Sequence, residues 1–142
     1  MTAIDTIKAY CAHHKIRLTP IRLHIIHCLS EQSTPISAYE LLDRLKIDNE
    51  NMNIMSVYRS LDFLKSHGVI HKINTNNTYS LCCHPSDVLC QVFICQKCNQ
   101  SFEVHSLDIT NQLNALAAKS GFEIKQNKIE LFGLCQSCRA TT

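Results

Sequence analysis

The sequence predicts an α+β protein in which a winged helix–turn–helix domain precedes a small α/β domain. Three observations support this fold class. Residues 1–68 contain four stretches in which apolar side chains recur at helical spacing. Apolar and polar residues then alternate on both sides of an Asn-rich segment, which is typical of a β-hairpin. The rest of the chain combines short strand-like segments with one amphipathic helix and holds seven of the nine cysteines.

Capping residues predict where three of the four N-terminal helices begin. Thr19 and Pro20 suit the N-cap and the first helical position of the second helix. Ser37 and Glu40 have the spacing of a capping box at the start of the third helix. Asn53 is suited to cap the fourth helix, which would be the reading helix of a winged helix–turn–helix. The first helix is predicted only from the spacing of its apolar residues.

The predicted wing is the hairpin that "VIHKI" and "TYSLC" form around "NTNN". The loop between the third and fourth helices is long for a tight helix–turn–helix. Further along, "QVFIC", "SFEV", "FEI" and "KIELFGLC" are predicted as strands, and "LDITNQLNALAAKSG" as a helix. The expected limits are residues 1–81 for the winged-helix domain, 82–90 for a hinge and 91–142 for the α/β domain.

Composition narrows the class of protein. The net charge is only +2, all of it contributed by residues 1–81, so charge alone does not identify a nucleic-acid binder. No apolar run reaches the length of a membrane span, and the first residues lack the apolar core of a signal peptide. We therefore expect a cytoplasmic protein without a membrane partner. In that reducing compartment, nine cysteines favour metal binding over disulfides.

Two cysteine pairs have the spacing of a closed zinc site. "CQKC" contains Cys95 and Cys98, and "CQSC" contains Cys135 and Cys138. Four thiolates complete the tetrahedral coordination of Zn²⁺, so the predicted role is structural, in a domain too small to hold its own core. Two independent buried or redox pairs are the alternative. We favour zinc because no thioredoxin-like βαβ pattern precedes "CQKC".

A second group of potential metal ligands has looser spacing. Its imidazole, thiolate and carboxylate donors suit Zn²⁺ better than Fe²⁺ or Mn²⁺, because thiolates favour softer ions. Spacing alone favours the alternative, an exposed strand histidine and small buried cysteines without a metal. The members of the group are His71, Cys82, Cys83, His84, Cys90 and Glu103.

Candidate DNA contacts lie at two places in the first domain. Ser56, Tyr58 and Arg59 occupy the first turns of the predicted reading helix, where contacts to base edges usually originate. Arg can bond O6 and N7 of guanine, and Tyr can contact phosphate or a thymine methyl. A solvated helix face is the alternative for an isolated cation. A basic patch suited to phosphate contact is formed by Lys15, Arg17 and Arg22.

Taken together, these residues resemble the ferric uptake regulator superfamily, and its zinc uptake regulator branch in particular. The resemblance implies a dimeric, metal-dependent transcriptional repressor with an N-terminal DNA-binding domain and a C-terminal α/β dimerisation domain. It spans nearly the whole chain, in order. The stretches that carry it are "RLTPIR", "ISAYELLDRL", "SVYRSLDFLKSHGVIHKI", "YSLC", "FICQKC", "LAAKSGFEI" and "IELFGLCQSC".

The resemblance assigns one structural and one sensory zinc ion to each protomer. The structural ion falls on the two C-x2-C pairs, and the sensory ion on His71, Cys82 and Glu103. The fourth sensory ligand is a histidine in the zinc branch, and Cys90 falls in its place here, with His84 and Cys83 as rivals. A further metal site that uses His105 or His84 also remains open.

The sensory zinc would be shared by the two domains and would fix one relative to the other. In the homodimer this would match the separation of the reading helices to a palindromic operator, so that plentiful zinc represses zinc-import genes. The resemblance also places Tyr39 at a position of DNA contact. The full set of candidate DNA-binding residues is therefore Arg17, Tyr39, Ser56, Tyr58 and Arg59. At the start of the reading helix, Met55-Ser56 replaces the usual Pro-Thr of the family.

Other functions are less compatible with the sequence. The His-rich run that precedes "FIC" in iron- and peroxide-sensing relatives is replaced by "LCQV". A regulator that senses iron, manganese or nickel, a zinc-ribbon interaction module and a thiol redox protein remain the alternatives. We find no Ser–His–Asp set, no phosphate-cradling Gly loop and no paired carboxylates, so we expect no enzymatic activity and no small-molecule substrate.

Overall fold

The chain forms two compact units, Met1–Pro85 and Ser86–Thr142. The structure is a computed structural model that describes residues 2–73, 76–82, 89–125 and 128–140. Helices and small sheets together confirm the predicted α+β class. Within the described part of the chain, no helix is both long and apolar enough to cross a membrane.

The first unit combines four helices with a three-stranded antiparallel sheet, in the order β1-β3-β2. The strands β2 and β3 form the predicted hairpin. The short strand β1 was not predicted; it pairs Ile36 with Tyr79, on the far side of β3. The elements are α1 (Ala3–His13), α2 (Pro20–Ser30), β1 (Ile36–Ser37), α3 (Ala38–Leu45), α4 (Ile54–Ser66), β2 (Ile70–Ile73) and β3 (Thr78–Leu81).

Three of the four helices of the first unit begin at the predicted caps. The side chain of Thr19 accepts a hydrogen bond from a backbone N–H of the first turn of α2, and Ser37 forms the expected capping box. Asn53 Oδ1 accepts from the backbone N–H of Ser56 at 3.0 Å and so caps α4. A further capping box, of Thr2 and Asp5, begins α1. Each cap satisfies backbone donors that the first turn leaves unpaired.

The end of α4 turns the chain directly into the wing. Gly68 has a φ of 75°, the left-handed conformation that glycine adopts without steric cost. The N–H groups of Gly68 and Val69 donate to carbonyls of the last turn, which completes a Schellman motif. Leu61 and Leu64 of α4 are fully buried and belong to the same core cluster as Ile25 of α2. The end of α4 is thereby connected to the start of β2 by a short, hydrogen-bonded turn.

The second unit contains a three-stranded sheet in the order β5-β4-β6. The strands β4 and β5 are antiparallel, whereas β4 and β6 are parallel and are connected through α5. The elements are β4 (Cys90–Cys95), β5 (Ser101–Val104), α5 (Leu107–Lys119), β6 (Lys128–Gly133) and α6 (Gln136–Ala140).

Three details of the second unit differ from the sequence predictions. The segment "FEI" was predicted as a strand, but residues 122–125, which the structure describes, form none. The N–H of Phe122 instead donates to Ala117 O at 2.8 Å and closes the Schellman motif of α5 behind Gly121. The short helix α6 was not predicted. Cys90, which the prediction placed in the hinge, is the first residue of β4.

Three exposed apolar residues of the second unit form a row across its sheet. Phe93 lies in the central strand and pairs with Phe102 on one side and Leu131 on the other. All three are between 43% and 49% exposed. A concavity of about 310 Å³ is lined by this row and by the segment that follows β6. A contiguous apolar patch of this kind is a typical feature of a protein–protein interface.

We expect that Asn53→Ala lowers the free energy of unfolding of the first unit by about 1 kcal/mol, the usual cost of removing an N-cap. The physical reason is the loss of the hydrogen bond from Ser56 N to Asn53 Oδ1. Urea denaturation followed by circular dichroism measures this change. Asn51→Ala is the matched control, because the side chain of Asn51 takes no part in the cap of α4. Equal effects of the two substitutions would contradict the capping role.

Candidate metal centres and nucleic-acid interface

The four cysteines of the C-x2-C pairs lie together in the second unit. Their sulfur atoms are all within 4.8 Å of one another. Parallel pairing of β4 with β6 opposes Cys95 and Gly133, so the turn with Cys98 lies beside Cys135 and α6, which carries Cys138. The first knuckle is closed by the N–H of Asn99, which donates to Cys95 O at 2.9 Å. Sheet pairing therefore brings together two sequence-distant pairs.

The spacing of these sulfur atoms fits a tetrahedral zinc ion. A Zn–S bond of about 2.3 Å implies an S···S edge of about 3.8 Å in a regular tetrahedron. The distance between Cys98 Sγ and Cys135 Sγ is 3.8 Å. The backbone N–H of Cys135 also points at Cys95 Sγ, at 3.5 Å, which is the kind of second contact that orients a thiolate ligand. Both the four sulfur donors and the distances between them are suited to a closed structural zinc site.

The thiols of this cluster differ in acidity. The N–H of Cys135 donates to Cys95 Sγ and, with other backbone N–H groups, lowers the pKa of Cys95 to about 6. The pKa of Cys138 is raised to about 12, first because of its side-chain contact with Cys135 and then by burial. Zinc binding must displace the proton of Cys138, so retention of zinc should weaken as the pH falls.

His71 and Cys82, the first-unit members of the looser group, are diagonal neighbours on one face of the wing. His71 lies in β2, opposite Ser80. Cys82 follows β3, and its N–H donates to Val69 O at 2.9 Å, so it lies opposite a residue two positions from His71. Residues two apart in a strand share a face. Both side chains are buried, with relative exposures of 2% and 1%.

Cys90 and Glu103, the second-unit members of the looser group, are also diagonal neighbours on one face of a sheet. Glu103 in β5 lies opposite Val92, which is two residues from Cys90 in β4, so Cys90 and Glu103 share a face of the sheet. His105 lies beside both: its ring nitrogens are 3.5 and 3.7 Å from Cys90 Sγ, and Nε2 is 3.8 Å from Glu103 Oε1. The rival ligands Cys83 and His84 lie outside the described residues.

The predicted DNA-contacting residues differ in their exposure. Tyr39, in the first turn of α3, is 62% exposed, and Arg17 and Arg59 are also exposed. Ser56 and Tyr58 are partly buried, and Tyr58 packs against the core of the first unit. Tyr39, Arg17 and Arg59 are therefore the members of this set with the most accessible side chains.

Arg22 has a packing role in addition to its charge. Its guanidinium lies over the ring of Phe63, 3.4 Å from the centroid, and its Nη1 donates to Arg17 O at 2.9 Å. The first contact is a cation–π interaction that joins α2 to α4. The predicted basic patch of Lys15, Arg17 and Arg22 thus contains one cation that is also held in the tertiary structure.

A two-domain chain with a winged helix, a four-cysteine cluster and buried His, Cys and Glu side chains corresponds to a known class of metal-dependent regulators. The model of the ferric uptake regulator family matches residues 13–132. The chain belongs to this family.

Within the family, the chain is similar to zinc uptake regulators. It is 40% identical to the zinc uptake regulation protein of Escherichia coli (strain K12) over 131 residues, which cover 90% of this chain and 76% of the relative. A solved structure of a zinc uptake regulator complexed with zinc and DNA superposes with a TM-score of 0.86 at 35% identity, covering 99% and 97% of the two chains. The crystal structure of holo XcZur superposes with a TM-score of 0.84 at 33% identity, covering 96% of each.

Proposed function

We propose that this protein is a zinc-responsive transcriptional repressor that binds palindromic operators as a homodimer and controls zinc uptake genes. The observation that carries the proposal is the likeness, over 99% of the chain, to a zinc uptake regulator complexed with zinc and DNA. The sequence identity to the Escherichia coli zinc uptake regulation protein agrees with it. A regulator of this class acts in the cytoplasm by binding DNA and has no enzymatic activity.

Each protomer has two zinc sites with different roles in this proposal. The structural ion is held by Cys95, Cys98, Cys135 and Cys138, whose spacing and donor type fit a closed tetrahedral site. The regulatory ion is held by mixed donors, namely His71, Cys82, Cys90 and Glu103, the set that the resemblance to zinc uptake regulators implies for this chain. Bound there, zinc would supply the positive charge that stabilises the thiolate and carboxylate donors beside one another.

The regulatory role follows from which unit contributes each ligand. His71 and Cys82 belong to the unit that contains the reading helix, and Cys90 and Glu103 belong to the other unit. Zinc binding to all four donors favours the arrangement of the chain that brings these donors together. If that arrangement also binds the operator best, zinc and DNA increase each other's affinity by the same factor.

The homodimer is proposed to form through the second unit. Support comes from the exposed apolar row of Phe102, Phe93 and Leu131, because exposed apolar area of this kind is stabilised by burial in an interface. Two copies related by a two-fold axis would present two copies of α4 to the half-sites of a palindrome.

A regulator of another metal is the second candidate within the family. A donor set with two thiolates favours zinc over iron or manganese, which prefer oxygen and nitrogen donors. A thiol redox role for "CQKC" is less favoured, since the four sulfur atoms are spaced for a shared metal ion.

The DNA-binding part of the proposal is tested with Arg59→Ala. Operator duplexes are selected from a random library with the zinc-loaded protein, and the affinity is then measured at fixed salt. Loss of a bidentate Arg–guanine contact should weaken binding by about 1–3 kcal/mol and relax specificity at one base pair. Lys65→Ala is the matched control, because it removes a charge from the last turn of the same helix. Equal, sequence-independent losses in the two variants would contradict readout by the start of α4.

A further inference from the structure

The candidate regulatory ligand Cys90 has a close neighbour that the family assignment does not include. The imidazole of His105 lies 3.5 Å through Nδ1 and 3.7 Å through Nε2 from Cys90 Sγ. These separations are within the range of an N–H···S hydrogen bond. Nε2 is 3.8 Å from Glu103 Oε1, and the side chain of His105 is only 16% exposed. One imidazole therefore contacts both ligands that the second unit contributes.

The position of His105 is fixed by a buried amide. The residue lies between β5 and α5, just before the N-cap residue Ser106. Gln91, which is 3% exposed, accepts from Ser106 N through Oε1 at 2.9 Å and donates from Nε2 to Leu89 O at 2.7 Å. The hydroxyl of Thr110 lies 2.9 Å from Ser106 O and 3.3 Å from Leu89 O, so its one hydrogen is donated at this same junction. These bonds join the segment that carries His105 to the residues on either side of Cys90.

The charge of the ligand set indicates what the contact between His105 and Cys90 does. Two histidines, one thiolate and one carboxylate would balance the charge of Zn²⁺. With Cys90 in place of the second histidine, the donors are two thiolates and one carboxylate, which leave the site with an excess negative charge. A donor N–H directed at a thiolate stabilises that charge, because hydrogen bonds to an ionised acceptor are among the stronger ones.

We propose that His105 is a positioning residue of the regulatory zinc site, whose ring N–H donates to the Cys90 thiolate and compensates the charge introduced by cysteine at this position. The inference rests on the proposed function, since it requires Cys90 to be a zinc ligand. It adds a residue that binds no metal itself but orients one ligand, as outer partners of metal sites do.

The test compares His105→Leu, which removes the N–H donor, with His105→Gln, which retains one. Both are made in the full chain, with zinc in the four-cysteine site and Co²⁺ in the regulatory site. His105→Leu should lower the affinity for Co²⁺ and Zn²⁺ by about 10–100-fold. It should also move the sulfur-to-cobalt charge-transfer band to longer wavelength, because the thiolate loses its hydrogen bond. His105→Gln should restore most of the affinity and of the band position.

Three outcomes would overturn the inference. His105→Leu could leave the band and both affinities unchanged, or His105→Gln could be as damaging as His105→Leu. A third is a change of the cobalt ligand-field bands that shows one nitrogen ligand lost, which would make His105 a ligand and not a positioning residue. Cys82→Ser separates this inference from the proposed function. If Cys82→Ser abolishes regulatory metal binding while His105→Leu is silent, only the role of His105 is wrong.

Discussion

Replacing Cys98 by serine is expected to remove the structural zinc and unfold the second unit of the chain. Cys98 is exposed, so the substitution creates no cavity, and its effect must come through the metal. Structural zinc ions contribute about 10–16 kcal/mol in zinc-finger peptides, more than a small domain can lose. We expect the structural zinc to be lost, and the regulatory ion with it because Cys90 and Glu103 lie in the same unit. The helical signal of α5 should disappear and the homodimer should dissociate.

The measurements are zinc analysis of the purified protein, circular dichroism and analytical ultracentrifugation. Cys28→Ala is the matched control. Cys28 is a buried cysteine of the first unit that belongs to neither candidate ligand group, so this variant should keep its zinc and its dimer. A Cys98→Ser protein with unchanged zinc content and an intact dimer would show that the four cysteines do not hold the second unit together.

The second large effect is expected for Cys82→Ser, which should abolish the response to zinc without unfolding the protein. Cys82 follows the wing hairpin, its backbone N–H donates to Val69 O, and its side chain does not belong to the main core cluster of the first unit. Serine is a much poorer zinc ligand than a thiolate, so the regulatory ion should be lost and the structural one retained. Couplings between two ligands are typically about 5–150-fold in affinity. That zinc-dependent increase in operator affinity should disappear in the variant.

Operator affinity with and without zinc, measured together with the zinc content of each sample, checks this expectation. Cys28→Ala again serves as the control and should respond to zinc as the unchanged protein does. If Cys82→Ser bound the operator with the same zinc dependence as the unchanged protein, the regulatory assignment would be wrong.

Local signals made much of the first unit predictable from the sequence. The caps at Thr19, Ser37 and Asn53 act within one helical turn, and glycine at position 68 meets a local requirement for positive φ. The hairpin of β2 and β3 follows from alternation of apolar residues. In each case the interaction that decides the structure joins residues close in sequence.

Features that depend on distant residues were missed or misjudged. The strand β1 exists because Ile36 pairs with Tyr79, and nothing in a two-residue segment indicates that partner. The segment "FEI" is an exception with a local cause: it has the composition of a strand, but the N–H of Phe122 closes the end of α5, five residues back. The stacking of Arg22 on Phe63 also joins two separate helices. Local propensity is a weak guide wherever such tertiary contacts decide the conformation.

The two candidate metal sites show the same difference between local signals and long-range contacts. The C-x2-C spacing indicates a zinc site because each pair can chelate from one tight turn. The looser group has no such local signature, and its interpretation depended on resemblance to the family. The contact of His105 with Cys90 arises from the pairing of β4 with β5 and from the bonds of Gln91. A sequence pattern alone does not contain these contacts.

Operator affinity measured against buffered free Zn²⁺, with parallel titrations of Fe²⁺ and Mn²⁺, tests the central claim most directly. The protein should first be loaded with its structural zinc. We predict that Zn²⁺ increases operator affinity as a second ion binds to each protomer, and that Fe²⁺ and Mn²⁺ have little effect at comparable free concentrations. Operator binding that is independent of zinc, or that follows Fe²⁺ or Mn²⁺ instead, would contradict the assignment as a zinc-responsive repressor.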